Sequence, residues 1–164
     1  MAIRVQSEDF DVAAETKALV AGNTNIGAVV TFTGLVREIA GGEAISAMTL
    51  EHYPDMTEAM LAKIEAQAND RWALDASLII HRYGRLEPGE QIVLVITASP
   101  HRQAAFEAAE FLMDWLKTKA PFWKQEATVD GEKWVAAKAS DDDATDRWTE
   151  NFPESPAKIV VAKG

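Results

Sequence analysis

The feature that most constrains this 164-residue chain is the segment from Gln91 to Ala98, in which Ile92-Val93-Leu94-Val95-Ile96 are apolar without interruption. A strand with one wet face alternates apolar and polar residues, so an unbroken run of strand length belongs at a buried central position. Pro88-Gly89 supplies a turn before it. Ser99-Pro100 follows, an N-cap and a proline at the first helical position, and predicts a helix to about Thr118 that Ala120-Pro121 stops. The chain is therefore built on a buried strand that feeds a long helix.

The other segments fit around that pair. Ile3 to Val5 reads as a short strand, and Asp9 or Asp11 opens a helix that Gly22 closes. Gly27 to Gly34 is a β-branched run bounded by glycines, hence a strand, with Gly41-Gly42 marking a loop beyond it. Ile45 to Tyr53 is the next strand, after which Asp55-Met56-Thr57-Glu58 resembles a capping box for a helix to about Trp72. Leu78 to Tyr83 is expected to form a hairpin with the central strand. Phe122 to Val129 and Lys133 to Ala137, joined by Asp130-Gly131, form a second hairpin. Asp141-Asp142-Asp143 caps a last short helix through Trp148. Two hairpins among irregularly alternating helices predict an α+β fold with a mixed or antiparallel sheet, flanking helices and a small β-hairpin subdomain. One domain over residues 1–150 is expected, with a tail over 151–164 in which Ile159-Val160-Val161 can dock as an edge strand.

Composition removes several function classes. The chain has no cysteine, which excludes disulfides, thiolate metal sites and cysteine nucleophiles, so any sulfur chemistry must bring its sulfur from outside. The formal charge of -10, with no dense Lys/Arg block, argues against nucleic acid. No apolar run approaches the ~20 residues a bilayer needs, and Met1-Ala2-Ile3-Arg4-Val5 lacks the apolar core of a secretory signal, so a cytoplasmic setting is expected. The acidity is uneven, however. Residues 101–138 hold six Lys/Arg against six Asp/Glu, which leaves room for a local cationic site.

Ser99-Pro100-His101-Arg102 places an imidazole and a guanidinium in the first turn of a helix, which is already electropositive. A bound phosphate would compensate that arrangement. A structural role, with Arg102 paired to a carboxylate and His101 bonded to backbone, fits the spacing equally well. By helical offsets Arg102 shares the stripe of Ala105, Ala109 and Leu116 and leans toward the protein. Lys117, four residues past Met113, lies at the margin of the apolar face; it can be partly desolvated there, or simply answer the helix dipole. Lys124 and Glu126 share one face of a strand, as a working pair or as a surface ion pair. Arg37 stands at a strand exit. His52 and His81, among apolar neighbours, read as hydrogen-bonded structural histidines, and the three histidines have no metal-site spacing.

Several stretches together resemble the large subunit of molybdopterin synthase: Thr31-Phe32-Thr33-Gly34-Leu35-Val36-Arg37, Leu50-Glu51-His52-Tyr53-Pro54-Asp55-Met56-Thr57-Glu58, His81-Arg82-Tyr83-Gly84-Arg85-Leu86 and Ser99-Pro100-His101-Arg102. The most specific is Met113-Asp114-Trp115-Leu116-Lys117-Thr118-Lys119-Ala120-Pro121-Phe122-Trp123-Lys124-Gln125-Glu126. The five occur in the family's order, within roughly residues 3 to 148. Asp55 stands where the family often has Gly, and Lys119 and Gln125 where it often has Arg.

The resemblance implies an α/β-hammerhead fold and a sulfurtransferase with no cofactor or metal of its own. Its implied partner is a small ubiquitin-like sulfur carrier whose C-terminal Gly-Gly tail ends in a thiocarboxylate. Its implied substrate is cyclic pyranopterin monophosphate, converted to the dithiolene of molybdopterin. Carried over by motif, Lys117 and Lys124 are the catalytic lysines. Arg37, His101 and Arg102 line the anion and pterin pocket, Lys124-Gln125-Glu126 is a binding segment, and Lys138 is a further basic contributor from a neighbouring subunit. A homodimer with a small subunit at each end, a heterotetramer, is implied. The rival expectation is a non-catalytic phospholigand-binding or scaffold partner of a ubiquitin-like protein.

Overall fold

The computed structural model describes residues 2–40, 42–135 and 139–151. The expected α+β class holds. A four-stranded sheet runs in the order β1 (Ala2–Gln6), β5 (Ala76–Arg82), β7 (Gln91–Ser99), β2 (Ala28–Leu35). The β1–β5 pairing is parallel and the other two are antiparallel, so the sheet is mixed. A second sheet centres on β4 (Glu43–His52), with β8 (Phe122–Thr128) and then β9 (Gly131–Val135) on one side. Two short strands, β3 (Ile39–Ala40) and β6 (Gly84–Leu86), pair with β4.

The uninterrupted apolar run of β7 has the structural reason expected of it. Val93 and Val95 point to one face and join Ile79 of β5 in a core with Leu61, Ile64 and Ala68 of α2 (Met56–Arg71) and Ala108, Phe111, Leu112 and Leu116 of α3 (Arg102–Thr118). Leu94 and Ile96 point to the other face and join Leu78 and Ile80 beneath Phe10, with Val12 and Leu19 of α1 (Val12–Val20) packed alongside. Each fully buried side chain of this size contributes about 1.5–3 kcal/mol, so the alternation holds helices on both faces. A third cluster, Val36, Ile45, Leu50 and Leu86, lies against the second sheet.

The end of α3 that carries Lys117 is held from the side by α4 (Ala139–Asn151). Trp148 packs edge-on against Trp72 and Phe111, and its indole N–H donates to Asp114 at 2.7 Å. Arg147 donates to the same carboxylate at 2.6 Å. The Asp141-Asp142-Asp143 run lies inside α4 instead of capping it, and α4 includes Asn151, the first residue assigned to the tail. The remainder of the tail, with Ile159-Val160-Val161, lies outside the described residues.

Local chemistry departs from expectation in three places. Ser99 is the last residue of β7, its hydroxyl donating to the Ala73 carbonyl and accepting from the His101 N–H, so the N-cap is His101 and the helix begins two residues later than the Ser-Pro signal suggests. Asp55 has φ 57° and makes no side-chain cap bond, so no capping box forms and the residue serves as a left-handed corner. The β5–β7 pair forms as expected, but its connection detours through β6 to the second sheet, which ties the two sheets together.

Candidate active site

Where the two sheets meet the end of α3, a cleft of about 450 Å³ opens, within the size range of small-molecule sites. β2 supplies Phe32, Thr33, Gly34 and Leu35, and Arg37 follows on the exit from that strand. Met113, Leu116 and Lys117 come from the last turns of α3, while Lys124 and Glu126 come from β8. Gly34 is where two strands touch: a Cβ there would sit 2.6 Å from Val93 Cγ1, so a side chain would push β2 off β7 at the cleft wall.

Period-2 geometry sorts β8. Lys124 lies opposite Leu50 and Glu126 opposite Met48, on the face turned to the cleft. Gln125 lies opposite Thr49 and Trp134, on the reverse face. Lys117 sits in the final turn of α3, where the negative end of the helix dipole favours its charge. Among the described residues neither Arg37 nor Lys117 has a carboxylate within ion-pair distance, so their charge is available to a ligand.

His81 belongs to this cleft although the sequence marked it as structural. It is only 6% exposed, and Phe122 stacks on its ring with centroids 3.7 Å apart. Its Nδ1 lies 2.9 Å from the Arg82 carbonyl oxygen, which can only accept, so Nδ1 carries the proton and Nε2 the lone pair. Burial pushes its pKa down to about 4; the Arg82 carbonyl opposes this, and the positive fields of Lys124 and His52 add to it. Arg82 beside it is also buried and donates to the carbonyls of Ser7 and Gln91, fixing this end of β5.

His101 and Arg102 are elsewhere. They stand at the N-terminal end of α3 and are not among the residues lining the cleft. At 1.5 Å per residue, Arg102 and Lys117 are separated by about 22 Å along the helix axis. Both His101 and Arg102 are exposed, so Arg102 does not lean into the protein as its helical stripe suggested. Neither structural role is found for them among the described residues: Arg102 has no ion pair and the His101 side chain makes no cap bond. The structure thus brings Arg37, Lys117, Lys124 and Glu126 together, and sets His101, Arg102 and Gln125 apart from them. Lys138 lies outside the described residues.

What this scaffold offers is a cleft in an α+β fold, with Arg37, Lys117, Lys124 and the Glu126 carboxylate over a floor of aliphatic and aromatic side chains. Comparison with known proteins gives the family. Residues 5–119 match the family model described as MoaE protein. The molybdopterin synthase catalytic subunit of Rhizobium meliloti (strain 1021) is 59% identical over 149 residues, covering 90% of this chain and 95% of that protein. The solved structure of a molybdopterin biosynthesis MoaE protein from Burkholderia ambifaria MC40-6 has a TM-score of 0.78 and 53% identity, covering 90% of this chain and 98% of that one. A molybdopterin synthase structure from Staphylococcus aureus gives a TM-score of 0.75 at 34% identity, covering 81% and 96% of the two chains. The chain belongs to the MoaE protein family.

Proposed function

We propose that this chain is the catalytic subunit of a molybdopterin synthase and works as a cytoplasmic sulfurtransferase. The donor is the C-terminal thiocarboxylate of a small ubiquitin-like carrier. The acceptor is cyclic pyranopterin monophosphate, which gains the two sulfurs of the dithiolene. The observation that carries this reading is the convergence of Lys117 and Lys124, from separate elements, on one cleft that also holds Arg37. Two lysines that reach one cleft from separate elements are well placed to stabilise negative charge developing at the thiocarboxylate and its tetrahedral carbon. Arg37 holds a phosphate or pterin oxygen, and fixing both reactants in one cleft supplies the orientation that sulfur transfer needs.

The separation of His101 and Arg102 from the cleft has a place in this reading. Two copies of the chain, related by a twofold axis, can set the His101–Arg102 corner of one copy beside the cleft of the other, so that each phosphate site draws on both. A homodimer carrying one small subunit per cleft, a heterotetramer, follows.

Reconstitution tests the function. The chain is combined with a thiocarboxylated carrier and cyclic pyranopterin monophosphate, and dithiolene product is measured alongside binding of each component. Product formation is expected. Binding of both components without product would overturn the proposal in favour of a scaffold role.

A further inference from the structure

Arg37, Lys117 and Lys124 present only hydrogen-bond donors to the cleft, and such groups select oxygen acceptors. A heterocycle carrying N–H groups needs acceptors as well; the Glu126 carboxylate lines the cleft, and His81 is placed to provide a second, neutral acceptor. Its Nδ1–H is committed to the Arg82 carbonyl, and Phe122 covers one face of the ring. Among the described residues no group hydrogen-bonds to Nε2. The buried polar atoms left without a partner there are His52 Nδ1, Asn69 Oδ1 and Trp115 Nε1. His81 Nε2 is not one of them, so it keeps an opening, and the space beside His81 is the cleft.

We propose that His81 is a specificity-determining residue, whose Nε2 accepts a hydrogen bond from a ring N–H of the bound heterocycle while the cations hold its phosphate. This deepens the pterin reading above and rests on it. The tautomer is fixed by backbone, so the acceptor is pre-oriented and needs no rearrangement when the ligand arrives. Lys124 and Glu126 from β8, Lys117 from α3, Arg37 beyond β2, His52 from β4 and the adjacent Arg82 are the charged and titratable groups around it. Burial, with Lys124 and His52 adding to it, keeps the imidazole neutral, so the acceptor persists through the physiological range. A ligand without the donor leaves the lone pair unanswered, which is worth about ten- to a hundredfold in affinity.

The experiment measures dissociation constants of cyclic pyranopterin monophosphate and of inorganic phosphate for the wild-type protein, His81→Phe and His81→Gln, without carrier. His81→Phe keeps a ring to stack on Phe122 and removes the acceptor, whereas His81→Gln can return an amide oxygen close to the Nε2 position. His81→Phe is expected to weaken the pterin about tenfold or more and leave phosphate unchanged, and His81→Gln to recover most of the loss. Equal pterin affinity in wild type and His81→Phe, or parallel loss of both ligands, would overturn the proposal. Should His81→Phe fail to fold, pterins methylated singly at each ring N–H replace it: at least one must bind wild type about tenfold more weakly, and equal binding of all would overturn the proposal. Absence of pterin binding by the wild type would instead overturn the functional reading itself.

Discussion

Arg102 and Lys117 occupy the first and the next-to-last residues of the same helix, α3, and so stand at opposite ends of the element that links the two cationic groups of this protein. If one phosphate site uses both, it must use them from different copies. Mixing Arg102→Ala with Lys117→Ala chains then creates hybrids in which one site carries both lesions and the other none. With half the dimers hybrid, activity is expected to recover to about a quarter of wild type, although each variant alone is slowed about a hundredfold or more. Reconstituted turnover of the mixture after subunit exchange checks this, and no recovery would place both residues in one copy's site.

Adjacent residues of β8 should behave in opposite ways. Lys124 faces the cleft and Gln125 faces away, opposite Thr49 and Trp134. Lys124→Ala is expected to lower kcat about a hundredfold or more, the scale of losing one group that stabilises transition-state charge. Gln125→Ala should stay within about twofold of wild type, because its loss touches only a partly exposed outer face. Steady-state kinetics on the two variants decides.

The buried neutral His81 makes the fold acid-sensitive. Its pKa is about 4 in the folded chain against an ordinary 6.5, so between those values the unfolded chain takes up a proton that the folded chain refuses. Stability from this group is complete above about pH 6.5 and is lost as pH falls toward 4, by roughly 2–3 kcal/mol. Urea midpoints at pH 7 and pH 4.5 should fall further for wild type than for His81→Phe. An identical fall in both would show that His81 is not the group responsible.

Asp55 offers a stabilising change. Its backbone is left-handed at φ 57°, and its carboxylate makes no cap bond that substitution would lose. Asp55→Gly removes the Cβ strain and is expected to stabilise by up to about 1 kcal/mol, a rise of roughly 2–4 °C in Tm for a chain of this size. Thermal unfolding followed by circular dichroism checks it.

These cases also show which parts of the molecule were legible in the chain. β7 was, because burial on both faces leaves a continuous apolar record, and so was the β8–β9 hairpin, because its turn needs a residue such as Gly131 at φ 112°. β3 and β6 were not: they are two and three residues long, too short to leave a period, and β6 pairs with β4 from far along the sequence. The Ser99-Pro100 signal misplaced the start of α3 because the Ser99 hydroxyl is used by the Ala73 carbonyl and the His101 N–H at the strand end. Strand periodicity put Lys124 and Glu126 on one face. Gln125 came from family resemblance alone, which says nothing of direction. His81 was passed over because a histidine among apolar residues looks structural until a cleft is seen to reach it.

The central claim, that the Lys117–Lys124 cleft carries out sulfur transfer, is tested most directly by a single-turnover assay of Lys117→Ala with thiocarboxylated carrier and cyclic pyranopterin monophosphate. The variant is expected to fold, bind the carrier and form dithiolene product at least about a hundredfold more slowly than wild type. Product formation at the wild-type rate would contradict it.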